Sequence, residues 1–209
     1  MEKSAIAGLS VAASVAGALI AADVVSAVAP DPAIDVVVNR DDGYVEVFMK
    51  MPAEAIVGVF DGDPSGFLDA SGVVDFSLLR NGTWQRGDEL FGTLTARDAA
   101  GAIDVEVMSA MFHPASVDLA FDTPLDAALA MSVCSVDQPD LRIPLDDLNV
   151  IVGFYSETVD SFGDLSLGFP ETLRPAVDVA MRDFTATGDA VDTTVLLRDG
   201  AALALPALN

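Results

Sequence analysis

Tight-turn signals recur along most of this chain, about every 8–12 residues, between short runs rich in Val, Ile, Leu and Phe. That spacing suits strands and little else. Asn81-Gly82, between residues 73–80 and 83–86, is the strongest two-residue hairpin signal. Arg40-Asp41-Asp42-Gly43 separates residues 33–39 from 44–51. In the second of those runs Val45, Val47 and Met49 fall on one side, with Glu46, Phe48 and Lys50 on the other. Asp98–Gly101 separates 89–97 from 102–108, and Pro144-Leu145-Asp146-Asp147 separates 141–143 from 150–155. Asp199-Gly200 predicts a closing hairpin between 191–197 and 201–205. Residues 117–121 also alternate, while 53–60 suit a strand or a short helix equally. The pattern predicts a mainly β fold, an antiparallel β-sandwich or jelly-roll-like domain with one or two short helices.

Two helices compete with strands. Thr123 is a good N-cap and Pro124 suits the first helical position, which predicts a helix through Met131. A strand over 127–136 is the alternative. Residues 171–184 predict a second helix, with Leu173, Val177, Ala180, Met181 and Phe184 along one side.

The start of the chain is different in kind. Between Lys3 and Asp23, residues 5–22 carry no charge, and the apolar character runs on to Ala29. Eighteen helical residues would reach about 27 Å, the short edge of a bilayer core. The large aliphatics are sparse, and small residues recur four apart (Gly8, Ala12, Ala16 and Ala13, Gly17, Ala21), a spacing at which helices pack closely. Three readings stay open: a secretory signal peptide cleaved after Ala27-Val28-Ala29, a retained anchor or packing arm that contacts membrane or protein, or an ordinary buried helix. The chain is therefore divided into residues 1–32, an apolar helix with a short Pro linker, and residues 33–209, a single β-rich domain.

Charge narrows the partners. There are 33 acidic residues against 10 basic, a net charge of -23, and Lys occurs only at positions 3 and 50. Such a surface repels phosphate backbones and anionic headgroups, so no nucleic-acid partner is expected. It suits a salt-rich medium, which points to a halophilic or marine source. Cys134, the one cysteine, excludes an intrachain disulfide and reads as a small buried hydrophobe.

The best local motif is Asp61-Gly62-Asp63-Pro64-Ser65-Gly66-Phe67-Leu68-Asp69. Calcium loops of the EF-hand type place oxygen ligands at positions 1, 3, 5, 7 and 9, with Gly at 6. Asp61, Asp63, Ser65, the Phe67 carbonyl and Asp69 match those positions, but position 12 is Gly72 where a bidentate Glu belongs. Calcium is the cofactor this motif suggests, and an acidic turn between strands is the plainer reading. A second cluster, Met108 to His113 with Met49 and Met51, offers soft ligands of the kind copper(I) takes, against the plainer role of core filling. A single His, no G-x-S-x-G, no P-loop and no G-x-G-x-x-G leave catalysis without a recognisable set. The expectation is a non-enzymatic structural or assembly protein, homo-oligomeric or part of a larger assembly, at a virion or cell surface. The alternative is an exported binding module for calcium or a small ligand.

Overall fold

The computed structural model describes residues 34–41, 43–53, 68–71, 73–75, 94–133, 142–157, 163–169, 176–184, 188–198, 202–205 and 207. Among them the chain is mainly β, with one short helix and several sheets whose strand pairs are antiparallel except for one. The largest sheet has six strands. It is built on the hairpin of β1 (Ile34–Asp41) and β2 (Tyr44–Pro52). Asp41 pairs with Tyr44, so the turn is only two residues long, and its Gly43 takes a φ of 87°, a conformation that favours glycine. Arg40, which the sequence suggested for the turn, thus belongs to the strand.

Around this hairpin stand β6 (Glu106–Pro114), β8 (Leu148–Ser156), β10 (Ala176–Phe184) and β11 (Ala190–Arg198), in the order β11-β10-β1-β2-β8-β6. The β1–β10 pair is parallel and every other pair in this sheet antiparallel. A four-stranded sheet follows the order β12-β9-β4-β5, from β4 (Thr95–Asp98), β5 (Gly101–Ile103), β9 (Leu165–Gly168) and β12 (Leu203–Leu205). A small pair joins β3 (Val73–Val74) to β7 (Ile143–Pro144), and a single 3-10 turn at Leu145–Asp147 leads into β8.

Alternation sends each strand's side chains to opposite faces. On the inner face of the six-stranded sheet Val36, Val38, Val45, Val47, Met49, Val152, Phe154 and Val179 share one apolar cluster. Its other contributors include Leu94 and Ala96 and, from β9 and β12, Leu165, Leu167, Leu203 and Leu205. On the outer face Val37, Phe48 and Ile151 form a second cluster with Phe121, Ala127, Ala130 and Met131. The last three belong to α1 (Pro124–Ser132), which lies across this face.

α1 starts where its cap dictates. Thr123 accepts from the Asp126 amide at 3.1 Å and donates its hydroxyl to the Asp126 carboxylate at 2.7 Å, with Pro124 in the first turn. The helix comes close to the sheet over Gly153. A Cβ at that position would lie 2.6 Å from Sδ and 2.7 Å from Cε of Met131. Gly153→Val is therefore expected to cost about 1–3 kcal/mol by overpacking, and Gly153→Ala less, because the end of Met131 can swing away. Equal chemical denaturation midpoints for wild type and Gly153→Val would refute this.

Three expectations are corrected. Residues 176–184, expected as part of a helix over 171–184, form β10 between β1 and β11, with Val179, Met181 and Asp183 all buried at a period of two. β11 and β12 do not pair with each other: β11 pairs with β10 in the large sheet and β12 with β9 in the small one. Residues 117–121 alternate in sequence yet form no strand and instead lead into α1.

Candidate functional site

The outer face of the six-stranded sheet gathers the features that could do something. α1 inverts the usual partition of a surface helix. The residues it buries against the sheet are mostly small (Ala127, Ala130 and Met131), whereas Leu125 and Leu129 point outward at 68% and 53% exposure. With Val133 at the C-cap, these make an i, i+4, i+8 stripe of aliphatic surface. A helix facing water on one side normally shows polar residues there. Asp126 is the one charged residue within α1. Met108 continues the apolar surface: it is the extra residue of a bulge in β6, its Sδ lies near Gly153 beside Met131, and it is exposed.

Beside this stripe lies a cleft of about 230 Å³, and the register shows why it is there. One row of outward side chains runs Lys50, Asp35, Ala180, Thr194 across β2, β1, β10 and β11. The next runs Phe48, Val37, Arg182, Asp192. Ala180 is the smallest member of its row, so the surface sinks between Asp35 and Thr194, and Phe121 walls the hollow. Arg182 donates from Nε to Asp192 at 3.2 Å and from Nη1 to the Asp122 carboxylate. The Asp35 carboxylate has no hydrogen-bond partner among the described residues. Half-burial pushes its pKa up; Lys50 and Arg182 pull it back only in part, and Asp122 adds to the rise. The Lys50 ammonium sits 6.0 Å from the centre of the Phe121 ring, at the outer limit of a cation–π contact.

His113, 3% exposed, also faces outward from β6, toward α1. Burial lowers its pKa and nearby Lys50 adds to that, against a hydrogen bond with the Ala130 backbone; Nε2 has no partner among the described residues. With the folded pKa below the unfolded one, the chain loses stability as pH falls below about 6.5, by at most about 1.4 kcal/mol per pH unit, until the folded pKa is passed. Wild type is expected to lose more stability than His113→Gln between pH 7 and 5. Parallel pH profiles in urea unfolding would remove His113 as the cause.

The chain matches no family model and no curated protein.

Of the calcium-loop residues, Asp61, Asp63, Ser65 and Phe67 lie outside the described residues, as do Cys134 and residues 5–29. Asp69 is described. Its Oδ1 accepts from the Ser71 hydroxyl, the Ser71 amide at 2.8 Å and the Val73 amide at 3.2 Å, and its Oδ2 accepts from Arg142 Nη1. The bonds from Ser71, then Val73, with the charge of Arg142, hold its pKa down to about 2. Both carboxylate oxygens are thus engaged in stapling the turn before β3 to the start of β7. Among the described residues no three His, Cys, Asp or Glu side chains stand close enough to share a metal. The soft-ligand cluster is split by the sheet, since Met49 and Met51 belong to the inner core and His113 to the outer face. No helix of the described residues is long and apolar enough to cross a membrane.

Proposed function

We propose that this chain is a non-enzymatic structural protein whose β-rich domain, a sandwich of the six- and four-stranded sheets, assembles with copies of itself through the outer stripe of α1. The observation that carries this reading is the placement of Leu125 and Leu129: large side chains face solvent where alanines sit beneath. Fully burying a leucine contributes about 1.5–3 kcal/mol, so a folded chain that leaves two in water gains by covering them. A stripe of aliphatics along one short helix is also self-complementary about a two-fold axis, the commonest symmetry of homo-oligomers.

The charge then sets the conditions. Two copies at -23 each repel at low ionic strength, and salt screens that repulsion while leaving the apolar contact intact. Self-association is expected to strengthen as salt rises, the reverse of an interface held by ion pairs. Sedimentation velocity from about 0.1 M to about 2 M NaCl tests this, a range over which the screening length falls several-fold. A chain that stays monomeric throughout, or that dissociates as salt rises, would sink the reading. The retained N-terminal arm and a virion or cell-surface location belong to the same proposal and rest on residues 5–29 as a sequence.

A further inference from the structure

We propose that the cleft over Ala180 is a binding site for a compact organic cation, an alkylammonium or guanidinium group, with the Asp35 carboxylate as its counter-ion. The site is separate from the assembly stripe and rests on different observations.

Size comes first. At about 230 Å³ the cleft is smaller than the roughly 300–1,000 Å³ of drug-sized ligand pockets, so it admits a short chain or a single side chain. Its chemistry selects the sign of charge. Arg182, the cation on the cleft wall, is already committed through Nε to Asp192 and through Nη1 to Asp122, which leaves it poorly placed to receive an anion. Asp35 is the reverse case: a half-buried carboxylate with no donor on it among the described residues, whose lost hydration Lys50 and Arg182 do not restore. A donor placed directly on it would form a charge-assisted hydrogen bond, about twice as strong as a neutral one. The net charge of -23 raises the local concentration of cations and lowers that of anions.

A bare metal ion fits less well, since among the described residues the cleft brings only Asp35 and Asp192 as carboxylates. An organic cation needs one carboxylate and an apolar wall for its stem. Phe121, Val37 and Ala180 supply that wall, and Thr194 lines the cleft across Ala180 from Asp35. Lys50, across the β1–β2 pair from Asp35, is a built-in competitor for the same carboxylate.

The test is calorimetric titration of the full chain at fixed salt with n-butylamine and agmatine, against n-butanol as a neutral match and butyrate as an anion. The amines are expected to bind, and n-butanol and butyrate to bind at least tenfold more weakly. Asp35→Asn, nearly the same shape, is expected to weaken amine binding about tenfold or more. Ala180→Leu, which fills the hollow, is expected to abolish it. Lys50→Met is expected to strengthen it, an effect that general damage to the sheet would not produce. No amine binding by wild type, or equal binding by wild type and Asp35→Asn, would overturn the site. A capped Gly-Lys-Gly peptide separates the sources. If it binds as butylamine does, the ligand is a partner's basic side chain; if butylamine alone binds, it is a free amine. The assembly reading stands or falls by sedimentation, independently of these titrations.

Discussion

Replacing Asp183 with alanine is expected to cost about 3–5 kcal/mol of folding stability, a large share of the roughly 5–15 kcal/mol that holds a typical domain together. Arg40 and Asp183 are both fully buried, and they meet through two bonds, Nε to Oδ1 at 2.9 Å and Nη2 to Oδ2 at 2.6 Å. The parallel register of β1 and β10 makes this possible. It sets Asn39 beside Phe184 and Val38 beside Asp183, so the long Arg40 side chain, inward like Val36 and Val38, reaches Asp183 on the neighbouring strand. Nη1 also donates to the Gly163 carbonyl at 3.2 Å, tying the large sheet to the segment that enters β9. Burial pushes the Asp183 carboxyl up and the guanidinium pulls it down. Losing the carboxylate removes both of these charge-assisted bonds from a guanidinium held in the core, and that penalty is what the alanine variant measures. The double variant Arg40→Met/Asp183→Leu removes both charges of this pair and is expected to regain part of the loss, since apolar replacements of buried pairs are often neutral or stabilising while the Gly163 contact goes with Arg40. Urea unfolding followed by circular dichroism decides it. A single-variant cost under about 1 kcal/mol, or a double variant no better than the single, would show that the pair does not hold the sheets in this way.

How far this arrangement can be read from the sequence depends on whether a signal is local. The Asp98–Gly101 turn is local: Asp98 accepts from the Ala100 and Gly101 amides at 2.7 and 2.9 Å, and the β4–β5 hairpin follows. The α1 start is local too, because Thr123 and Pro124 lie next to the backbone they organise. The split of Val45, Val47 and Met49 from Phe48 and Lys50 also holds in β2. β10 shows the opposite. A strand with apolar groups on both faces, Val179 and Met181 inward and Phe184 against the outer cluster, satisfies a helical period as well as a strand period. A helical period over this stretch conceals the outward row that Arg182 shares with Asp192, and with it the cleft. Pairing partners are non-local as well: Asp199-Gly200 is a sound turn signal that says nothing about β11 and β12 going to different sheets. Arg40 reads as a turn residue because it stands beside Asp41-Asp42-Gly43, whereas Asp183, which it meets in the core, lies 143 residues away.

The stripe on α1 was visible as spacing but not as exposure, since Leu125 and Leu129 have the 4-residue interval of any core-facing helix. Only the packed structure shows that Ala127, Ala130 and Met131 took the inner side. That difference gives the second large expectation: the double variant Leu125→Gln/Leu129→Gln abolishes salt-driven self-association while the fold stays intact. Both side chains face solvent, and substitutions at such positions usually change stability by no more than about 0.5 kcal/mol. In a two-fold contact each lost leucine is lost twice. Even partial burial of four leucines amounts to several kcal/mol, a weakening of about 100-fold or more in the dissociation constant. Sedimentation at the high-salt end of the range reads the association, and the urea midpoint reads the fold. A variant that self-associates like wild type would move the interface elsewhere, to the β6 or β11 edge. A variant that unfolds would show instead that these leucines support the chain from within, which the alanine-lined inner side of α1 argues against. Leu129→Ala alone, which keeps helix propensity and removes only apolar area, is expected to fall between the two, so the association should track the aliphatic area left on the stripe and not the shape of the helix.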